Sequence, residues 1–364
     1  MEQTSGGALE RALARARQRG EQADGDWERT AAAWEEVRNL AERESQEDVL
    51  LEGSLSAVDA WRRADRPGRV LSIVEEAGAF VFRVEVEALL WAHGASALMD
   101  QGNLEQAEFQ ARRVLGLLDS GPVQAVVADT LAGVLLVSGQ LGALTTLLEV
   151  WESWESDQGV GSRFRRAQLA RLQGSWNSAR ELLLTCVQEL ESNGDDSGSA
   201  KGAIWTELAR VSVGQGEPEE ALDLLAKAAL CWQSSGRRSG AVSTELDRAL
   251  VSQAADGHAY LPGGLDEYVS WSKERGLVLL EAKARLARGL CRWDGGSDGA
   301  IEDLNTAVFL AEQSGAPLLS GRARLERHQR SGEPVEGDLE RALAELQADA
   351  VLRGRAWALL RASR

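Results

Sequence analysis

The sequence repeats one short motif, and this repeat restricts the folds that the chain can adopt. The motif begins with Gly, passes through a polar or small residue and a bulky or Pro residue, and usually ends in a small residue. Clear copies begin at Gly102, Gly139, Gly174 and Gly216, and a further copy begins at Gly25. The four clear copies are 37, 35 and 42 residues apart. A period of roughly 20 to 50 residues is typical of stacked repeat architectures.

Each position of the motif has a structural role in a pair of helices. Gly permits the left-handed conformation that ends a helix, and the polar residue after it begins the next helix. Pro218 stands near such a start, where its missing N–H does little harm. The small sixth residue, such as Ala179 or Ala221, lets the two helices approach closely. Apolar residues follow at positions i+4 and i+7, which predicts one buried stripe on the second helix.

Composition agrees with a helical chain. The sequence has only 2 Tyr and 5 Phe among its 364 residues, so aromatic strand formers are scarce. The longest spacing includes a loop of turn-forming residues at 192–199, which can lengthen one connection without disturbing the packing. Repeat proteins grow in one direction, so this length does not require several compact domains.

On these motifs the chain resembles the tetratricopeptide repeat (TPR) family. The best unit combines Trp205, Leu208 and Ala209 with the motif at Gly216, and a second unit places Trp91 before the motif at Gly102. The resemblance covers most of the chain and implies a right-handed superhelix of antiparallel helix pairs. Its longer helices and variable spacing resemble the extended variant found in bacterial regulators.

We therefore predict an all-α, right-handed α-solenoid of about eight TPR-like helix hairpins within residues 1–335. Weaker copies of the motif lie around Pro67, Gly264 and Gly296. Residues 336–364 are predicted to form a C-terminal capping helix, beginning at Asp338, that is acidic at its start and rich in Arg at its end. This placement of charge suits the helix dipole. The helix is expected to cap the last repeat or to dock a partner or a second copy.

Charge and targeting signals restrict the partners. The net charge of −17 opposes binding to nucleic acid and to anionic membranes. The first twenty residues lack the apolar region of a secretory signal, and no apolar stretch is long enough to span a bilayer. The three cysteines Cys186, Cys231 and Cys291 are far apart, which favours buried apolar residues in a reducing compartment over disulfides. We expect a cytoplasmic protein.

The residues that usually carry chemistry form no recognisable constellation. His93, His258 and His328 have no ligand partner at metal-binding spacing, and the sequence contains no HExxH, GxSxG or phosphate-binding loop motif. None of the 57 acidic residues is singled out as a catalytic pair. We predict no catalytic residue, cofactor or metal and no enzymatic activity. An all-α enzyme such as a helical-toroid glycosidase is the remaining enzymatic alternative.

The tryptophans have two interpretations. One set falls on packing positions of the repeat and is predicted to lie between helices: Trp27, Trp34, Trp91, Trp176 and Trp205. A second set is placed less firmly and includes expected contact residues for a partner: Trp151, Trp154, Trp232, Trp271 and Trp293.

Arginines concentrate on the first helices of the pairs, which in the TPR family line the concave groove. The resemblance makes the following residues candidate partner-binding residues: Arg163, Arg165, Gln168, Arg171, Arg210, Arg285 and Arg292. One hypothesis is a basic groove for an acidic segment or a terminal carboxylate, because Arg binds carboxylate in a bidentate way. The alternative is that these arginines pair with acidic residues of neighbouring helices. The Lys/Asn clamp of some family members is absent, because Phe164 and Gln168 occupy its positions in one unit.

The predicted function is that of a scaffold or adaptor that holds a protein or peptide segment in its concave groove. Binding on preformed helices costs little ordering entropy. The alternative is a module that senses a small ligand or signal peptide, changes its superhelical pitch and controls a separate effector.

Overall fold

A computed structural model describes residues 6–22, 26–78, 83–119, 121–154, 159–194, 197–256, 264–296, 299–331 and 335–362. Within these ranges the chain is all-α, with no strand and with nineteen α-helices. The helices are α1 (Gly6–Gln22), α2 (Trp27–Arg43), α3 (Glu47–Arg63), α4 (Pro67–Ala77), α5 (Val84–Asp100), α6 (Leu104–Leu115), α7 (Pro122–Val137), α8 (Leu141–Trp154), α9 (Val160–Leu172), α10 (Trp176–Ser192), α11 (Gly198–Gln215), α12 (Pro218–Ser234), α13 (Arg238–Asp256), α14 (Leu265–Arg275), α15 (Val278–Asp294), α16 (Ala300–Gln313), α17 (Pro317–Arg330), α18 (Asp338–Glu345) and α19 (Ala350–Ala362).

The motif glycines end the first helix of each pair, as the sequence predicts. Gly102, Gly139, Gly174 and Gly216 all have left-handed backbone angles, with φ between +70° and +81°. An L side chain is strained in this conformation, so Gly is the favoured residue there. The next helix begins two residues after each glycine. Asp65 takes the same role before α4 with φ of +54°. Gly25, where the N-terminal copy of the motif begins, lies outside the described residues.

The alanines at the sixth position of the motif lie between the paired helices. Ala107, Ala179 and Ala221 are each 0% exposed. A methyl group at these positions lets the helix axes approach closely, because any larger side chain would push the helices apart. The weaker copy before α16 behaves in the same way, with Ala300 and Ala307 buried. These observations confirm the predicted repeat of helix pairs.

The helices form two layers. Each odd-numbered helix from α1 to α17, except α13, packs on the even-numbered helix that follows it, and each odd-numbered helix from α3 to α15 also packs on the next odd-numbered one. Close packing of successive odd-numbered helices places this layer on the inner, concave side of the curve. The even-numbered helices form the outer layer.

The superhelix returns on itself, so that its second turn contacts its first. The turn at Gly102 lies against Ser314, and a Cβ atom on Gly174 would lie 3.5 Å from the Cβ atom of Ala350. Asp65 Oδ2 accepts a hydrogen bond of 2.8 Å from the backbone N–H of Ser239. These contacts join residues more than 170 positions apart in the sequence. We call this line of contacts the seam.

Arg275 adds two further bonds across the seam. Its guanidinium donates to the backbone carbonyl of Ala64 at 2.5 Å and pairs with Glu28 at 2.9 Å. Because both bonds come from a side chain that is one-fifth exposed, they are better shielded from water than an ordinary surface pair.

The C-terminal segment departs from the prediction in one respect. The single helix expected from Asp338 to the end is divided, because a short 3₁₀ turn at Leu346–Ala348 separates α18 from α19. Asp349 begins the new helix by accepting hydrogen bonds from the N–H groups of Val351 and Leu352. α18 pairs with α17 as the second helix of a ninth hairpin, and α19 covers its end. The division of the chain into domains at residue 335 remains a prediction.

The tryptophans predicted to pack between helices do so. Trp34 is buried, and Trp27, Trp91, Trp176 and Trp205 are half-buried against the core clusters. In the second set, Trp151 and Trp271 are also buried, whereas Trp154 and Trp293 are exposed and available for contacts. All three cysteines are free thiols, two of them buried.

Candidate functional site

A row of charged and polar side chains crosses five successive inner helices, from α7 to α15. We call it the charge ladder. Its members are Asp129, Arg165, Gln168, Arg171, Glu207, Arg210, Asp247 and Lys283. Each contact joins a helix to the next inner helix or stays within one helix. The ladder therefore ties the concave wall together with side chains.

The first half of the ladder runs from α7 to α11. Arg165 donates to both carboxylate oxygens of Asp129, from Nε at 2.8 Å and from Nη2 at 3.2 Å. Its Nη1 also donates to the side-chain carbonyl of Gln168 at 3.0 Å. Gln168 in turn donates to Glu207 at 3.4 Å. The bidentate pair fixes the plane of the guanidinium, which a single bond would not do.

The second half of the ladder runs from α9 to α15 through Glu207 and Asp247. Glu207 accepts hydrogen bonds from Arg171 and, at 3.0 Å, from Arg210. Arg210 reaches on to Asp247 at 3.0 Å. Asp247 then pairs with the ammonium group of Lys283 at 2.8 Å. Positive and negative charges alternate along the whole path, so each charge in the row has an opposite neighbour.

The ladder shifts the pKa values of its members. Burial alone raises the pKa of Glu207, but Arg171 and Arg210 outweigh it and hold that pKa at about 2. Burial likewise raises the pKa of Asp247, and Lys283 and Arg210 bring it below its usual value. Burial lowers the pKa of Lys283 to about 8, with Asp247 acting in the opposite direction. At neutral pH the two acids are therefore ionised, and Lys283 is mostly protonated.

Exposure along the ladder is uneven. Glu207 is only 1% exposed, whereas the side chains of Arg210 and Asp129 are 37% and 42% exposed. The buried acid at the centre orients two arginines, and the outer groups reach the surface of the groove. Such fixed donors and acceptors can recognise carboxylate, amide or backbone groups of a segment laid along the wall.

The structure separates the predicted site residues into two groups. Arg165, Gln168, Arg171 and Arg210 belong to the ladder. Arg163, Arg285 and Arg292 do not, because they pair with acids of outer helices. The partners are Glu189 for Arg163 and the buried Asp303 for Arg285 and Arg292, and Arg285 also pairs with Glu281 on its own helix. The ion pairing that the sequence left as an alternative is therefore present for every predicted arginine. A role in binding a partner stays a prediction for all of them.

Sequence reasoning missed the acids and the lysine of the ladder. Asp129, Glu207, Asp247 and Lys283 are separated from their partners on the next inner helix by about one repeat. The separations are 36 residues for Arg165 and Asp129, 36 for Arg171 and Glu207, and 37 for Arg210 and Asp247. Opposite charges one repeat apart on first helices were the available signal. It is hidden among 57 acidic residues.

The described ranges contain neither a metal-binding cluster nor a membrane-spanning helix. No group of three His, Cys, Asp or Glu side chains there is arranged to hold a metal ion. In the same ranges, no helix combines the length and the apolar character needed to cross a bilayer.

Comparison with known proteins supports the fold alone. No protein-family model matches the chain, and no curated protein matches it in sequence. Among solved structures, the chain is similar to that of a Rap protein complexed with competence and sporulation factor. The TM-score is 0.59 and the sequence identity is 14%, with 98% of this chain and 97% of that chain covered. The likeness extends over nearly the full length of both proteins and confirms an all-α, TPR-like repeat fold.

Proposed function

We propose that this chain is a non-enzymatic binding module that holds a segment of another protein or a peptide along its concave wall. The charge ladder is the observation that carries the proposal. It places fixed donors and acceptors on preformed helices, so a bound segment would lose its own freedom while the wall loses little. The similar Rap protein was solved in complex with a factor, which supports a binding role for this fold.

The chemistry of the wall restricts the ligand. Each arginine of the ladder already has a carboxylate partner, so the wall is a mosaic of both charges rather than a uniformly basic groove. An acidic side chain or a terminal carboxylate of the segment would bind at Arg210, whose side chain is 37% exposed. A backbone amide or a basic side chain would bind at Asp129, which is 42% exposed.

The proposal is tested by capturing the partner and then by changing the wall. The purified chain is cross-linked in cell lysate, and the captured proteins are identified by mass spectrometry. We expect Arg210→Gln to weaken binding of the captured partner at least tenfold. Arg180→Gln is the matched control, because Arg180 is 33% exposed and also pairs with two acids, but it belongs to an outer helix. Equal effects of the two variants would refute the concave site.

A second candidate function is that of a sensor which changes its pitch and controls a separate effector. The seam favours it, because the polar bonds that join the two turns within the described ranges, such as those of Asp65 and Arg275, are few. A ligand that binds one arrangement of the turns better would shift the population towards it. Small-angle scattering with and without the captured partner tests this function. A change in radius of gyration supports it, and an unchanged radius leaves the scaffold as the better description.

A further inference from the structure

A polar cavity lies across the seam, away from the charge ladder. This seam cleft has a volume of about 740 Å³ and is lined by residues of α1–α3 on one side and of the α11–α13 region on the other. Its size is within the range of about 300–1,000 Å³ that is usual for small-molecule sites. No member of the charge ladder lines it.

Three arginines line the seam cleft. Arg62 and Arg63 come from α3, and Arg237 comes from the turn before α13. Arg63 pairs with Asp59 on its own helix at 2.9 Å and stacks over the ring of Trp27 at 4.6 Å. Arg62 and Arg237 are different, because no carboxylate oxygen of the described residues lies within 4.0 Å of either guanidinium.

The side-chain partner of Arg62 is a neutral group rather than a carboxylate. Arg62 donates to Nδ1 of His93 at 3.0 Å, and burial together with the nearby Arg62 lowers the pKa of His93 to about 3. The ring is therefore neutral and accepts the bond without cancelling the charge. Burial and the positive charge of Arg237 lower the pKa of Arg62 itself.

Unpartnered donors mark the same cleft. The Nε–H of Arg237 and the indole N–H of Trp27 are buried and have no hydrogen-bond partner. A buried polar group without a partner costs about 1–3 kcal/mol, so a native structure usually supplies one. α11 also begins at the wall of the cleft, at Gly198, and adds the positive end of its dipole.

Two acidic groups, Asp65 and Asp100, lie beside the cleft and interact with its arginines at longer range. Asp65 accepts the bond from Ser239. Burial raises the pKa of Asp100 to about 6, an effect that Arg237 and Arg62 oppose and Asp65 reinforces. Neither carboxylate is within ion-pair distance of Arg62 or Arg237. Two guanidinium groups without a carboxylate at ion-pair distance thus face one open cleft from opposite turns of the superhelix.

We propose that the seam cleft binds an anionic group, a carboxylate or a phosphate, held between Arg62 and Arg237. The ligand class is a small molecule or short peptide that carries this group. Because the two arginines belong to different superhelical turns, the bound anion bridges the seam and ties the turns together. This site is separate from the concave wall, and its occupation does not depend on the partner proposed above.

The test is a calorimetric titration of the full chain in 150 mM salt with two probes, pyrophosphate and a triglutamate peptide with an amidated C-terminus. We expect saturable binding of at least one probe, and the probe that binds identifies phosphate or carboxylate as the preferred group. Arg62→Gln and Arg237→Gln should each weaken binding at least tenfold. Arg113→Gln, an exposed arginine on α6, should bind as the unmodified chain does.

Three results would overturn the proposal. They are no saturable binding of either probe, undiminished binding by Arg237→Gln, and an equal loss in Arg113→Gln. Circular dichroism checks that each variant is folded, and Arg237→Gln decides the matter if Arg62→Gln does not fold. Arg210→Gln should bind pyrophosphate as the unmodified chain does, whereas it should bind the captured partner more weakly, so failure at the concave wall and failure at the seam cleft are distinguishable.

Discussion

The charge ladder and the seam cleft both contain arginines. Those of the ladder form ion pairs, whereas Arg62 and Arg237 in the cleft form none among the described residues. In the ladder, Arg171 and Arg210 share the buried carboxylate of Glu207, and every charge has an opposite neighbour. In the cleft, the side chain of Arg62 bonds to a neutral imidazole, and the buried Nε–H of Arg237 has no hydrogen-bond partner. A fully hydrogen-bonded network makes the wall rigid. Two arginines without an ion-pair partner can instead bind a ligand that supplies the anionic group.

The two regions also differ in which parts of the superhelix they join. The ladder joins neighbouring inner helices, one repeat apart, so it follows directly from the stacking of hairpins. The cleft exists only because the second superhelical turn returns to the first. We therefore expect changes in the ladder to affect stability most, and changes at the seam to affect the contact between turns.

The largest effect is expected from Glu207→Gln in the ladder. The change removes the buried carboxylate that Arg171 and Arg210 share and leaves Arg171 without an ion pair within the described ranges, whereas Arg210 keeps Asp247. Breaking a buried pair costs about 3–5 kcal/mol of unfolding free energy. Urea denaturation followed by circular dichroism measures the loss. A loss below about 1 kcal/mol, typical of exposed pairs, would show that the ladder is not a buried network.

The pH dependence of stability should differ in sign between the two regions. Burial raises the pKa of Asp100 at the seam to about 6, so its contribution to stability increases as the pH falls from 7 towards 4. The pKa of Glu207 is lowered to about 2, so its contribution is present above pH 4.5 and is lost as the pH falls towards 2.

Asp100→Asn isolates the seam effect. The stability of the unmodified chain relative to this variant should rise by about 2 kcal/mol between pH 7 and pH 4, in line with roughly 1.4 kcal/mol per unit of pKa difference and some screening by solvent. Urea midpoints at the two pH values provide the measurement. A stability difference between the two proteins that stays constant with pH would show that burial does not raise the pKa of Asp100.

A matched pair of glycines tests the contact across the seam. Gly236 and Gly216 both have left-handed backbone angles, so a change to Ala costs each about 1–2 kcal/mol. A Cβ atom on Gly236 would also lie 2.6 Å from Nε1 of Trp27, whereas nothing lies within 4 Å of one on Gly216. Gly236→Ala should therefore lose more stability than Gly216→Ala and should increase the radius of gyration. Equal behaviour would mean that the turns do not touch at this place.

The smallest effect is expected from Asp129→Asn at the exposed end of the ladder. Its side chain is 42% exposed, so the loss should be at most about 1 kcal/mol. Comparison with Glu207→Gln under identical conditions measures how the contribution of an ion pair to the free energy of unfolding increases with burial. Similar losses for both would remove the distinction between the centre and the end of the ladder.

The repeat could be predicted from the sequence because its signals are local. Gly174 ends a helix and Ala179 lies against its partner helix for reasons that involve only a few neighbouring positions. The break in the predicted C-terminal helix was also signalled locally, since Asp349 is a good residue to begin a helix, but the helical pattern around it concealed the signal.

The partners of the arginines could not be predicted in the same way. Which acid meets Arg210 depends on the register in which α11 stacks on α13, and many acids lie at a suitable spacing. The seam was still harder to predict, because Asp65 and Ser239 are 174 residues apart and no repeat relates them. It depends on the pitch of the whole superhelix, to which every hairpin contributes a little.

The central claim is that the second superhelical turn rests on the first, and a disulfide tests it most directly. Gly174→Cys combined with Ala350→Cys would place two Cβ atoms about 3.5 Å apart, within the range that a disulfide requires. Cys231, the native cysteine that is only half-buried, is replaced by Ser to prevent competing bonds. Mild oxidation should cross-link the monomer almost completely, as seen by gel mobility and peptide mass. Thiols that stay free under these conditions, in a folded chain, would contradict the contact between the turns.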